Sequence, residues 1–170
     1  MLQDIITAIN TLPSMSRQPS DPCVLTGIRM NPLTKLLAYE AAAFELRTFS
    51  NYIETILIKE LIARDLMDQL PLSRNPLSTI RTPNYHEQDI DFFRQRIQEI
   101  IKSAPPTKSR RLTGLRMSSR VKMLSHDVAK EENRSFANFV ECMVVNNLKS
   151  LEVLTPEMFE AIQKNQRKSP

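Results

Sequence analysis

The chain has 170 residues, enough for one or two small domains, with ordinary apolar content (41%), few aromatics (6%) and no tryptophan. Two glycines against 11 prolines leave few places for tight left-handed turns, which disfavours an all-β fold and favours helices punctuated by proline. The 23 basic and 19 acidic residues give a net charge of +4, and Cys23 and Cys142 stand far apart without CxxC spacing, so neither a disulfide framework nor a zinc site is indicated.

The opening "MLQDIITAINTL" has no basic start and carries Asp4 before its apolar residues, so it reads as a short helix rather than a secretory leader. No apolar run approaches membrane-spanning length, and the expectation is a soluble, cytoplasmic protein. "LTGIRM" (25–30) alternates, with Thr26, Ile28 and Met30 on one face and Leu25, Gly27 and Arg29 on the other, as a strand does. Asn31 is placed to cap a helix that has Pro32 at its first position and Leu33, Leu36, Leu37, Ala41 and Phe44 at helical spacing, ending at about Glu45. After a break at "LRT", Thr48 caps a second helix with the apolar stripe Phe49, Tyr52, Ile53, Ile56 and Leu57. That helix is expected to run on through "IARDLMDQL" (62–70). The proline-rich stretch 71–85 should hold no regular structure. Residues 86–104 read as a helix with Ile90, Phe93, Ile97, Ile100 and Ile101 on one face. "LTGLRM" (112–117) is a second strand, and "TPEMFEAIQKN" (155–165) a last helix with Thr155 as cap and Pro156 at its start, followed by a frayed tail.

The two hexamers hold both glycines, Gly27 and Gly114, and they begin two copies of one 37-residue unit. Residues 25–61 and 112–148 align without a gap at an offset of 87, with 14 identical pairs. Unrelated chains of average composition would share roughly two or three. Ser118 matches Asn31, Ser135 matches Thr48, and the stripe recurs as Phe136, Phe139, Val140, Met143 and Val144. This is an internal duplication. A single strand with two amphipathic helices has nothing to pair its edge or cover its apolar side, so the unit requires a second copy. The organisation is therefore an N-terminal segment (1–23), copy one (24–62), a connector with one helix (63–107), copy two (108–150) and a C-terminal helix with tail (151–170). The positive charge is concentrated in the second copy, where residues 108–149 hold nine basic and four acidic side chains.

The order strand, "R-M-[NS]", helix, "R-[ST]-x-x-N", apolar helix, with "AKEENRSFANFVE" (129–141) closest, resembles the ribbon-helix-helix (Arc/MetJ-type) DNA-binding family. The resemblance covers 37 residues twice. Where the family usually has glycine before the Arg-Ser pair, this chain has Leu46 and Asn133; asparagine tolerates the left-handed conformation and leucine does so poorly. The resemblance implies a mainly α fold with a short two-stranded antiparallel β-ribbon, here an intramolecular pseudo-dimer plus extra helices. It also implies that the ribbon enters the major groove of double-stranded DNA. The chain would then be a monomer with internal pseudo-two-fold symmetry, with room for higher oligomers on DNA. Some family members linked to plasmid transfer also carry two units in one chain.

With Thr26, Ile28 and Met30 turned to the core, Arg29, Arg116, Gly27 and Gly114 face outward beside Leu25 and Leu112. Arginine suits guanine O6 and N7, and glycine admits close approach of DNA or relieves crowding between the strands; both readings of the glycines stand at this point. Of the six outward positions only the arginines are polar, so phosphate contacts carry more of the load. The candidates are Lys108, Arg110 and Arg111 beside the second strand and the helix N-termini at Thr48 and Ser135. The first strand is flanked by "PSDP", so the grip is expected to be lopsided. No catalytic constellation, phosphate loop, metal site or cofactor site is indicated, and the chain reads as a non-enzyme. Two functions follow. One is a DNA-binding regulator of prokaryotic, plasmid or phage type, or a DNA-transfer accessory factor. The other is a protein-interaction module that keeps the fold without base reading and docks a partner through the connector helix.

Overall fold

The computed structural model describes residues 21–67, 86–104 and 109–167. The elements run β1 (Cys23–Met30), α1 (Pro32–Phe44), α2 (Phe49–Ala63), α3 (Glu87–Ser103), β2 (Arg111–Ser118), α4 (Ser119–Glu131), α5 (Phe136–Ser150) and α6 (Pro156–Arg167). The fold is mainly α with one two-stranded antiparallel sheet, as expected. The helix read in the first dozen residues and the irregular stretch 71–85 lie outside the described residues. Among the described residues no helix is long and apolar enough to cross a membrane.

Helices begin where the sequence places a capping side chain. Asn31 accepts from the Leu33 and Thr34 amides, Thr48 from Asn51, Ser118 from Val121 and Ser135 from Asn138, at 2.9–3.3 Å. Each such cap stabilises its helix by about 1 kcal/mol. Thr155 caps α6 through the Met158 amide at 3.3 Å.

Helix ends repeat as faithfully as helix starts. Among the described residues the non-glycine positions with positive φ are Leu46, Asp65, Asn133 and Glu152, two pairs each separated by the repeat offset. At Leu46 the amides of Leu46 and Arg47 return to Ala43 and Ala42, and at Asn133 those of Asn133 and Arg134 return to Lys130 and Ala129. This double closure satisfies the orphan carbonyls of a finished helix. The same closure at Asp65 corrects the expected continuation through 62–70: α2 stops at Ala63, because Asp65 and Leu66 donate back to Ile62 and Leu61. Leu46 thus adopts the left-handed conformation despite its side chain, which stays 94% exposed.

The strands pair with each other inside one chain, Gly27 opposite Gly114, so the pseudo-two-fold axis passes between the glycines. Thr26, Ile28, Met30, Thr113, Leu115 and Met117 are buried below the ribbon. α2 lies against β2 and α5 against β1, so each long helix supports the other copy's strand, and α2 and α5 pack on each other between them. Their stripes, Tyr52, Ile53, Leu57 and Leu61 with Phe139, Val140, Val144 and Leu148, form the centre of the core. Phe49 and Phe136 are buried as expected; each stacks on a ring of its own copy, Tyr39 at 4.3 Å and His126 at 4.5 Å between centroids.

The extra helices break the symmetry. Both α3 and α6 pack against α1. Sequence differences between the copies account for the choice: Phe44 stacks on Phe93 of α3 at 4.1 Å, whereas its counterpart Glu131 is exposed. Leu33 is buried, whereas its counterpart Arg120 is exposed. Phe93 and Ile97 are buried in this contact, so the outward aromatic of the connector helix is Phe92. At the C-terminal end Gln166, read as part of a frayed tail, donates to Thr34 at 3.2 Å.

Candidate nucleic-acid interface

The outer face of the ribbon is built of three cross-strand rows: Leu25 with Arg116, Gly27 with Gly114, and Arg29 with Leu112. All six are exposed, and the two halves are identical in sequence as well as related by the axis. The leucines are 71% and 72% exposed yet lean over the glycines. A Cβ on Gly27 would stand 3.3 Å from Leu112 Cδ1, and one on Gly114 would stand 3.6 Å from Leu25 Cδ1. A Cβ would thus be tight at Gly27, against the movable end of Leu112, and in ordinary contact at Gly114, and the two glycines leave the middle row without side chains between the rows that carry Arg29 and Arg116. Among the described residues neither Arg29 nor Arg116 is held in an ion pair, so both are available to an anion or a base edge.

The surroundings differ at the two ends. Where β1 ends and β2 begins, Arg29, Arg110 and Arg111 come together. Arg111 is exposed opposite Met30, while Arg110 turns inward: its Nη1 lies 3.5 Å from Glu141 Oε1 and donates to the Arg29 carbonyl at 3.4 Å. Lys108 lies outside the described residues. At the opposite end, Asp21 accepts from the hydroxyls of Ser118 and Ser119 and from the Arg120 amide, filling the N-terminus of α4 with negative charge. Burial acts to raise its pKa, but these hydrogen bonds and the Arg120 charge outweigh it and hold the carboxyl below its ordinary range. One end of the ribbon is strongly cationic and the other is partly neutralised. Thr48 and Ser135 are exposed at the starts of α2 and α5, each occupied in capping its own helix. The α2 start is tied to the ribbon through Ser50, whose hydroxyl accepts from the Arg116 amide at 3.2 Å.

Two residues that hold the ribbon in place went unassigned in the sequence. Glu54 Oε1 accepts from the Ser118 amide at 2.7 Å, and Glu141 Oε1 accepts from the Asn31 amide at 2.6 Å. They are repeat counterparts, and each reaches across to the strand-to-helix junction of the other copy. Burial raises both pKa values; for Glu54 the Ser118 amide opposes this and Asp21 adds to it, and for Glu141 the Asn31 amide and Arg110 oppose it. The available signal was their identity in both copies within a stripe of otherwise apolar neighbours.

The structure thus defines a small mainly α domain around one two-stranded antiparallel ribbon, an architecture compatible with a ribbon-helix-helix fold and suited to nucleic-acid or protein contacts. No family model, curated protein or solved structure matches the chain. Among the described residues no group of three or more histidine, cysteine or acidic side chains is placed to hold a metal ion.

Proposed function

We propose that this chain is a non-enzymatic, double-stranded-DNA-binding protein of ribbon-helix-helix type that lays its ribbon in the major groove. The observation that carries the reading is the identical outward triad, Leu25, Gly27 and Arg29 with Leu112, Gly114 and Arg116, disposed about the Gly27–Gly114 axis. A two-stranded ribbon fits a major groove roughly 12 Å wide, and an arginine bidentate to guanine discriminates by about 1–3 kcal/mol. The leucines supply apolar contact for thymine methyl groups. Phosphates are met by Arg111 and Lys108 and by the backbone amides at the starts of α2 and α5, near Thr48 and Ser135. A prokaryotic, plasmid or phage regulator, such as a repressor, or a DNA-transfer accessory factor acting in the cytoplasm, is the biological setting that fits such a chain. The test is a gel shift against random duplex DNA over a salt series: log affinity should fall linearly with log salt. Absence of binding at low salt would refute the reading.

A protein-interaction module is the second reading. It is favoured by the exposure of Leu25 and Leu112 and by Phe92, 64% exposed on the connector helix α3. It predicts a partner whose capture is lost in Phe92→Ala and unaffected in Arg116→Ala.

A further inference from the structure

We propose that Glu141 is a proton-operated latch on Arg110, holding this arginine back from the ligand of the ribbon until the carboxylate takes up a proton. The inference rests on the reading of the ribbon face as a binding site for the DNA polyanion. Glu141 is 0% exposed, and its Oε1 carries both the Asn31 amide at 2.6 Å and Arg110 at 3.5 Å. Its Oε2 is buried with no hydrogen-bond partner among the described residues. Arg110 is only partly covered, with 24% of its side chain exposed, and it lies beside Arg29 at the cationic end of the ribbon. One guanidinium therefore stands between a buried carboxylate and the outer face that the DNA reading turns to phosphate.

Moving Arg110 to a phosphate would leave Glu141 charged, buried and without a counter-ion, a state that proteins avoid by neutralising the group. A proton on Oε2 does this while Oε1 keeps accepting from Asn31. Burial already biases Glu141 toward the protonated form. Among the described residues Arg110 is the charged group acting on the carboxylate; the Asn31 amide meets it where β1 passes into α1, and no charged side chain of α2 or α4 is ion-paired with it. Cys142, next along α5, is a thiol that burial keeps protonated. The other end of the ribbon has no such device, because the repeat counterpart of Arg110 is Cys23 and Glu54 faces Asp21 instead.

The experiment measures binding of the full chain to a random-sequence duplex across mildly acidic to neutral pH, for wild type, Glu141→Gln, Arg110→Gln and the double variant. Glutamine keeps the acceptor for Asn31. Wild type should lose affinity as pH rises, by at most about tenfold per pH unit for one linked proton. Glu141→Gln should flatten that dependence and bind more tightly at neutral pH, with a salt slope steeper by about one. The double variant should match Arg110→Gln. Equal pH profiles for wild type and Glu141→Gln would overturn the latch. If no variant binds duplex, the DNA reading fails, and the latch is judged on the protein alone by the ¹⁵N guanidinium signals of Arg110. These should follow the Glu141 titration in wild type and stay constant in Glu141→Gln; a constant signal in both overturns it.

Discussion

Leu46 is a leucine in a glycine's conformation. Its φ is 52° and its side chain is 94% exposed, so it bears the left-handed strain with almost no packing in return. That strain costs an L-residue with a full side chain about 1–2 kcal/mol. The counterpart, Asn133, has φ 54° and a side chain that tolerates the region. Leu46→Asn removes most of the strain and loses negligible burial, so the chain should gain about 1 kcal/mol. Leu46→Gly should gain less, because glycine widens the unfolded ensemble by about 0.5–1 kcal/mol. The reverse exchange, Asn133→Leu, should cost what Leu46→Asn restores. Urea titration reads the effect as a higher midpoint at unchanged m, and thermal melting as a rise of about 2–4 °C for a chain of this size. A lower or unchanged midpoint for Leu46→Asn would refute the reasoning, since it would mean that the leucine makes a contact worth more than its strain.

Phe136→Ala empties a buried site stacked on His126 and should cost about 3–5 kcal/mol by urea titration; wild-type melting would contradict its placement in the core. Gly114→Ala sets a methyl group in ordinary contact with Leu25, so stability should hold or rise by about 0.5 kcal/mol while duplex affinity falls; unchanged affinity would show that the ribbon centre does not approach DNA. Arg116→Ala should relax base preference at one position, whereas Arg111→Ala should weaken binding to all sequences and reduce the salt slope by about one. Arg110→Ala should destabilise the fold at neutral pH by about 1 kcal/mol, a figure kept low because the guanidinium is part exposed. The sign follows from Glu141, whose folded pKa lies above its ordinary 4.5: the charged form is the one disfavoured by folding, so its penalty appears as pH rises through that raised value. Removing Arg110 raises the folded value further, so the deficit should be present at neutral pH and close as pH falls below the wild-type titration. A deficit that persists in acid would rule out this cause.

Much of the architecture was legible along the chain because the signals behind it are local. Alternation over six residues marked the inner and outer faces of each strand, and 3.6-residue spacing marked the buried stripes of α2 and α5. Single side chains at Asn31, Thr48, Ser118 and Ser135 marked where helices begin. The gapless repeat turned these local readings into a long-range one, since two strands that each lack a partner pair about a two-fold axis. The outward Arg29, Arg116, Gly27 and Gly114 followed from the same alternation.

Contacts between distant residues carried no such signature. Glu141 meets Asn31 at a separation of 110 positions, and nothing near either residue announces the pair. Arg110 looked like a free flanking cation, and only the packing of α5 under the ribbon places a buried carboxylate beside it. The helix read past Ala63 stops because Asp65 turns left-handed, a conformation that neither its residue type nor its neighbours require. That α3 and α6 both cover α1 depended on comparing surfaces, Phe44 and Leu33 against Glu131 and Arg120, which exist only once the helices are assembled. Periodicity and capping act within a few residues of chain and can be read in order; burial, charge pairing and the choice between two similar faces are properties of the folded neighbourhood, and tertiary structure decides them.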